Sequence, residues 1–415
     1  MNIGKHINKD RVFVNNILIT IFIGVIVNFL NYLFNIFLAR NLDSTDFSVY
    51  NAAIGIITLI QIPAIAIQTA ITKKVASNKN FNLERFKLHS TIQLGIVALV
   101  LSSIFFLLGD YISDIANIQT KYILPLTIVV FGAIVSPVAK GFLLGLERIL
   151  AFNMVLLLET ILKFALGFVA IYLATDISLP ILAFALPPIF TLILILPFVK
   201  TGKEIHPKTE LRLNYKNVSL IFLTFLLLNI PFTLDLILAN PDVRASYGAL
   251  SLMGKIVYFG AVTIASLMIS KLANSKKQLR RKTLVISLAV SGLTGICISI
   301  LYLIFTKEIV NIVFDGMYIE IVEYIVPYAI AMTIYALSYM VITSLLVDDS
   351  YLHIYFLLFL TVLQVILFRI NNECLYDIFV NQLVIYGILG IFVFFILIFY
   401  IFKNNGKNPK REAQR

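Results

Sequence analysis

The sequence has little charge, few cysteines and few histidines, and each shortage excludes a class of protein. Only 13% of the 415 residues are charged and 60% are hydrophobic, whereas soluble domains have about a quarter of their residues charged. This composition excludes a large soluble enzyme and a nucleic-acid-binding module. The two cysteines, Cys297 and Cys374, imply no disulfide framework. The four histidines are scattered without the spacing of metal ligands, so neither a metal site nor a cofactor is predicted.

The sequence is instead rich in apolar stretches long enough to cross a lipid bilayer. A helix needs about 20 predominantly apolar residues for one crossing, and twelve stretches of about that length follow one another along the chain. They occupy residues 12–39, 47–72, 90–109, 122–143, 149–174, 180–199, 218–239, 247–270, 283–305, 323–346, 351–368 and 380–402. The sequence therefore predicts an all-α integral membrane protein with twelve transmembrane helices.

The basic residues are distributed unevenly over the segments that connect these helices. With the N-terminus placed inside, 25 lysines and arginines fall in inside segments and five fall outside. The five are Arg40, Lys121, Arg244, Lys307 and Arg369. Because inside segments of membrane proteins carry the basic excess, we expect both termini to be cytoplasmic. The net charge of +11 is then explained by orientation and by anionic lipid, and no nucleic-acid partner is expected.

One short pattern occurs in both halves of the chain. Leu-Ala-Arg-Asn at 38–41 precedes Tyr50, and Leu-Ala-Asn at 238–240 precedes Tyr247. The two tyrosines are 197 residues apart. Six helices in each half imply parallel repeats related by an axis along the membrane normal, as in transporters that bind substrate between their halves. The predicted domains are a first lobe (1–200), a linker (201–217), a second lobe (218–402) and a basic tail (403–415).

Three segments of the chain resemble membrane proteins of polysaccharide export. They are residues 40–50, residues 145–148 with the following Glu159 and Lys163, and residues 235–256. The chain resembles the multidrug, oligosaccharidyl-lipid and polysaccharide exporter (MOP) superfamily, in its polysaccharide biosynthesis flippase branch. The resemblance implies two six-helix lobes around a central cavity in a prokaryotic cytoplasmic membrane.

The same resemblance implies a function and partners. Such a flippase moves a lipid-linked oligosaccharide, a repeat unit of capsule, O-antigen or exopolysaccharide, from the inner to the outer leaflet by alternating access. The implied partners are a polyprenyl-pyrophosphate-linked oligosaccharide, membrane lipid and polysaccharide assembly proteins. The coupling ion, H⁺ or Na⁺, is left open.

Charged side chains inside the predicted helices are the first candidate site residues. Because such a charge costs about 2.5–3.5 kcal/mol at the bilayer centre, it normally has a cavity or a partner. In the functional interpretation, Lys255 and Lys163 attract a pyrophosphate or acidic sugar, and Glu159 or Asp235 binds a coupling ion. In the structural interpretation, Glu159 and Lys163 neutralise each other one helical turn apart, and Asp235 partners Lys255. Lys140 is expected to extend to the membrane interface.

Uncharged polar side chains on three helices complete the candidate site. They form one-sided stripes on the first two helices and a tyrosine face on the tenth. The candidates are Asn28, Asn31, Asn35, Gln61, Gln68, Tyr335 and Tyr339. The amides are expected to line a wet cavity, with hydrogen bonding between helices as the alternative. The two tyrosines are expected to stack on a sugar or prenyl chain.

Two other functions remain as alternatives. A cation- or proton-coupled exporter of small molecules or drugs in the same superfamily typically uses a carboxylate near helix 1, which here has asparagines and no acid. A polytopic polysaccharide polymerase normally presents catalytic residues on a large outer loop. The longest outer connection here, 306–322, has no histidine and no nucleophile–base pair. No catalytic residue is therefore predicted, and the chain is not expected to be an enzyme.

Overall fold

The structure is a computed structural model that describes six stretches of backbone, in which all regular secondary structure is helical. These stretches are residues 3–77, 83–173, 176–198, 215–273, 277–345 and 353–405. The first half contains α1 (Ile3–Asn41), α2 (Ser44–Ser77), α3 (Leu83–Leu107), α4 (Gly109–Ala116), α5 (Ile123–Val135), α6 (Pro137–Gly145), α7 (Ile149–Tyr172), α8 (Ser178–Leu182) and α9 (Leu186–Ile195). The second half contains α10 (Tyr215–Leu238), α11 (Pro241–Ala273), α12 (Lys277–Phe314), α13 (Val322–Leu345), α14 (His353–Ile370) and α15 (Leu375–Asn405).

Every predicted span corresponds to a helix or to a pair of helices in this order. The fourth span consists of α5 and α6, and the sixth consists of α8 and α9. Within the described residues, ten segments are long and apolar enough to cross a membrane, and Phe222–Leu238 of α10 is a shorter apolar helix. The prediction of an all-α, multi-pass membrane protein is confirmed.

Prolines explain why two of the spans are divided. α6 begins at Pro137, whose missing N–H interrupts the hydrogen-bonding pattern that α5 would otherwise continue. α9 begins with Leu186 followed by Pro187 and Pro188, which cannot donate to the carbonyl groups of the preceding turn. The chain therefore turns between α8 and α9, and the Phe184 N–H bonds the Ile181 carbonyl at 3.1 Å.

Glycines allow α2 and α6 to approach closely in the first half. A Cβ atom on Gly141 would lie 2.8 Å from the Ile71 Cβ, and one on Gly145 would lie 2.5 Å from the Val75 Cβ. No larger residue fits these two positions without displacing α2. Small residues at helix contacts are typical of membrane proteins, where van der Waals packing drives helix association.

The outer faces of α3 and α12 expose large apolar side chains. On α3 these include Ile96 and Leu99, and on α12 they include Leu293 and Leu303, which are 58–68% exposed. Contiguous apolar surface of this kind is normal where lipid replaces water as the solvent. The exposed apolar side chains are thus consistent with the high mean hydropathy of α3 and α12.

The backbone contacts divide the chain into two compact units. One unit is Met1–Phe222 with Leu236–Pro241, and the other is Leu223–Asp235 with Asp242–Arg415. The first unit has a core of α2, α5 and α6 side chains such as Ile71 and Phe142. In the second unit, α13 packs between α12 and α15. The charged candidates lie inside these two units.

Candidate functional site

The carboxylate inside the first half is bound by side chains from two other helices. Lys140 of α6 donates to Glu159 Oε2 at 2.8 Å, and Thr191 of α9 donates to Oε1 at 2.7 Å. The expectation that Glu159 pairs with Lys163 is wrong, and so is the expectation that Lys140 extends to the interface. A pair one turn apart on a helix contributes only about 0.2–0.5 kcal/mol, and the partners on α6 and α9 engage both carboxylate oxygens.

Lys163 of α7 lies among aromatic rings and an amide instead of beside a carboxylate. Its Nζ donates to Asn31 Oδ1 at 2.8 Å and lies 3.8 Å from the ring centroid of Phe184 and 4.5 Å from that of Phe34. The residue is only 8% exposed. Among the side chains that the structure describes, Lys163 forms no ion pair. The first half therefore contains one interior lysine that no described carboxylate neutralises.

A similar hydrogen bond occurs within each half, between a tyrosine and a polar side chain of the preceding helix. Tyr50 of α2 donates to Asn35 Oδ1 of α1 at 2.8 Å, and Tyr247 of α11 donates to Asp235 Oδ2 of α10 at 2.6 Å. Each tyrosine follows a Leu-Ala pair, and each acceptor precedes that pair by three residues. The likeness supports the internal repeat, with an amide in the first half where the second has a carboxylate.

Two of the predicted amides make contacts within the first half. Asn31 and Asn35 each donate to the backbone carbonyl one turn earlier, at 2.9 and 2.8 Å, and each accepts a hydrogen bond from another helix. They thus show the alternative role, hydrogen bonding between helices. Asn28 and Gln61 are exposed and Gln68 is half-buried. For these three amides, the expected role of lining a wet cavity stays a prediction.

An arginine is completely buried near the start of α11. Arg244 has an exposed fraction of 0%, although the sequence interpretation placed it in an outer connection. The signal that would have placed it in the helix is Pro241 followed by Asp242, a proline and an acidic residue in the first turn. Arg244 is thus a buried cation of the second half that sequence reasoning missed.

Lys255 lies near the middle of α11, about 21 Å from the start of the helix at 1.5 Å per residue. Its Nζ lies 4.8 Å from the ring centroid of Phe232, and the side chain is half-buried. Asp235 is completely buried and bound to Tyr247, and it acts electrostatically on this ammonium group. Its role as the partner of Lys255 stays a prediction. No carboxylate in the described part of the chain lies within 4.0 Å of this ammonium group.

The two candidate tyrosines of α13 have different surroundings. Tyr335 is completely buried, and its hydroxyl donates to the Leu228 carbonyl at 2.8 Å. Its ring stacks on Phe232 at 5.5 Å and packs against Tyr386 at 4.9 Å. The expectation that Tyr335 stacks on a substrate is therefore corrected, since protein rings cover it. Tyr339 is half-buried, and for this residue the role stays a prediction.

A pair of buried glutamines joins three helices of the second half. Gln364 of α14 donates to Gln382 Oε1 of α15 at 3.1 Å, and both amides donate to the Pro231 carbonyl of α10, at 3.2 and 2.5 Å. These glutamines hold the segment of α10 that carries Phe232 and Asp235. Sequence reasoning missed them, although an amide inside an apolar run signals an internal contact in a membrane helix.

Comparisons with known proteins identify the fold. No protein-family model matches the chain, and no curated protein matches its sequence. A structure of the lipid II flippase MurJ in an inward closed conformation has a TM-score of 0.69 at 11% identity, covering 92% of this chain and 87% of that one. An inward-facing multidrug resistance MATE family transporter of the MOP superfamily has a TM-score of 0.70 at 12% identity, covering 92% and 96%.

A third structure extends the same comparison. The MATE multidrug transporter DinF-BH has a TM-score of 0.64 at 16% identity, covering 92% of this chain and 95% of that one. At such low identity the likeness concerns the fold. The fold of this chain is therefore similar to the folds of these transporters.

Proposed function

We propose that this chain, which has the fold of the MOP superfamily, is a membrane transporter that flips a lipid-linked oligosaccharide from the inner to the outer leaflet by alternating access. Lys255 is the observation that carries the proposal. It is an ammonium group halfway along a membrane helix and half-buried, and no carboxylate in the described part of the chain lies within 4.0 Å of it. A charge retained at such a position despite its cost indicates a functional role.

The balance of interior charge favours an anionic cargo. In the first half Lys140 neutralises Glu159, which leaves the charge of Lys163. In the second half Asp235 stands against two cations, Arg244 and Lys255. A pyrophosphate group between a polyprenol and a saccharide is the kind of anion that an ammonium group binds as a point charge. The half-buried Lys255 is the residue that we assign to it.

Localisation, partners and coupling follow from the same proposal. The excess of basic residues in alternate connections supports cytoplasmic termini. The proposed cargo implies the plasma membrane of a prokaryotic cell. The cargo is a capsule, O-antigen or exopolysaccharide repeat unit on a polyprenyl-pyrophosphate carrier, used together with polysaccharide assembly proteins. Both oxygens of Glu159 are occupied, so the coupling ion, H⁺ or Na⁺, is not assigned to that carboxylate.

A cation- or proton-coupled small-molecule exporter is the second candidate. The observation in its favour is that a multidrug transporter matches the fold as well as the flippase does, with TM-scores of 0.70 and 0.69. A cationic drug needs an accessible carboxylate, whereas Glu159 is bound to Lys140 and Asp235 is completely buried. The interior charges therefore favour the flippase.

Transport by the purified protein distinguishes these two candidates. Proteoliposomes would contain either a fluorescent polyprenyl-pyrophosphate-linked saccharide, with membrane-impermeant quenching of the outer leaflet, or the fluorescent organic cation ethidium under an imposed H⁺ or Na⁺ gradient. We expect the labelled lipid to exchange between leaflets faster than in protein-free vesicles, and ethidium to be retained. Transport of ethidium without any movement of the lipid would establish the drug exporter instead.

A further inference from the structure

Lys163 occupies a compact cage in the interior of the first half. The ammonium group lies against two ring faces, 3.8 Å from the Phe184 centroid and 4.5 Å from the Phe34 centroid, and donates to Asn31 Oδ1 at 2.8 Å. Aromatic faces together with one oxygen acceptor are the groups that recognise organic ammonium ions. The cage therefore has the chemical groups of an ammonium-binding site.

The surrounding sequence builds the two aromatic walls. Phe184 lies in the turn that the prolines of α9 impose, so its ring comes from a break in the sixth span. Phe34 of α1 reaches α7 because residue 167 is glycine, and a Cβ atom there would overlap Phe34 Cε2. The two rings also pack edge to face at 6.0 Å. The walls are thus fixed by backbone features and by each other.

The polar groups near the cage have other partners, so the cage residues are the groups that stabilise the ammonium group of Lys163. The carboxylate one turn away on α7, Glu159, accepts from Lys140 and Thr191. Asn35, the next polar residue along α1, accepts from Tyr50. Within the described residues, Lys163 is stabilised by the two rings and Asn31.

We propose that Phe34, Phe184 and Asn31 form a binding site for organic ammonium ions, and that the chain's own Lys163 is its resident occupant. The tethered ammonium excludes free organic cations from the interior of the first half. Filling a site with a competing group is a direct way to reject the wrong ligand. On the proposed function, this exclusion separates an anionic lipid cargo from cationic amphiphiles.

Removal of the occupant tests the site directly. The Lys163→Ala variant lacks three carbon atoms and the amine of the lysine, and n-propylammonium has the same number of carbon atoms and the same ammonium group, so this ion is the matched probe. We expect the thermal unfolding temperature of purified Lys163→Ala protein to rise by several degrees on titration with n-propylammonium chloride. The unfolding temperature of the wild-type protein should not change. The neutral analogue n-propanol should not produce the increase.

Variants of the cage provide the control. Phe184→Leu in the Lys163→Ala background keeps an apolar side chain but removes the ring face. We expect the apparent affinity for n-propylammonium, measured from the rise in unfolding temperature, to fall at least tenfold. An equal response to n-propanol, or an undiminished response without Phe184, would overturn the proposal. These measurements involve no transport, so their failure is distinguishable from failure of the flippase function.

A second substitution covers the case in which Lys163→Ala does not fold. Lys163→Met retains most of the side-chain volume and removes the charge, and we expect it to unfold at a lower temperature than the wild type. Lys163→Arg, which can still stack on a ring and donate to Asn31, should recover part of the difference. A Lys163→Met protein as stable as the wild type would also overturn the proposal, because the cage would then gain nothing from a cation.

Discussion

The Tyr247 hydroxyl donates a hydrogen bond of 2.6 Å to the Asp235 carboxylate, inside the second half of the protein. Tyr50 and Asn35 make the same contact in the first half at 2.8 Å. The acceptor is a carboxylate in one half and an amide in the other, so we expect the repeated contact to have a different strength in each.

This difference between the halves predicts unequal effects of the same substitution. Tyr247→Phe removes a donor to a buried carboxylate and should destabilise the protein by about 1.5–3 kcal/mol, the range for hydrogen bonds to charged groups. Tyr50→Phe removes a donor to a neutral amide and should cost about 0.5–1.5 kcal/mol. Reversible unfolding in detergent micelles measures both. Equal losses would show that Asp235 is not held as a charged acceptor by Tyr247.

The Lys140–Glu159 pair predicts a strong energetic coupling between two helices. Its side chains are only 14% and 11% exposed, so removing one partner should cost about 3–5 kcal/mol because it leaves a buried charge uncompensated. The Lys140→Ala, Glu159→Ala double variant should lose much less than the sum of the single losses. In a matched cycle, Lys163→Ala with Glu159→Ala should be nearly additive. A larger coupling between Glu159 and Lys163 would reassign the pair to α7 alone.

The contact between α2 and α6 predicts a position-dependent effect of a single methyl group. Gly145→Ala places a Cβ atom 2.5 Å from the Val75 Cβ and should destabilise the protein by about 1–3 kcal/mol, the cost of overpacking. The control is Gly292→Ala on α12, where nothing lies within 4 Å, and it should be neutral or slightly stabilising. Unfolding temperatures of the two variants that do not differ would contradict the close approach.

The membrane helices could be predicted from the sequence because each contains a long apolar run with its own local signal. Interior charges such as Glu159, Lys163 and Lys255 could be found because charge is rare within such runs. Their partners could not be found, since a helical pattern gives the face of a side chain and not the neighbouring helix. The sequence therefore predicted Lys163, on the same helix, as the partner of Glu159, whereas the partner in the structure is Lys140 of α6.

Other parts of the site depended on helix boundaries and on contacts between distant segments. Arg244 was placed in a connection because the apolar run begins after it, although α11 begins at Pro241. Gln364 and Gln382 meet at Pro231, more than 130 residues away in the chain. Tyr335 belongs to the predicted tyrosine face of α13, yet its ring packs against other rings of the same half. Such pairings arise only when the helices assemble.

Lys255 carries the central claim, that the interior of the second half binds the anionic group of a lipid-linked cargo. The most direct test is the rate at which labelled polyprenyl-pyrophosphate-linked saccharide crosses proteoliposome membranes, normalised to folded protein. Lys255→Ala should reduce this rate at least tenfold and Lys255→Arg should retain part of it, because a phosphate is bound mainly through charge. The control Lys307→Ala removes an exposed lysine in the C-terminal part of α12 and should leave the rate unchanged.

The double variant Lys255→Ala with Asp235→Ala decides between a cargo-binding lysine and a lysine that only balances Asp235. The proposed function predicts that flipping remains as low in the double variant as in Lys255→Ala, with folded protein present in normal amount. Full recovery of the flipping rate in the double variant would contradict it, because a cargo-binding ammonium group cannot be replaced by removing a carboxylate.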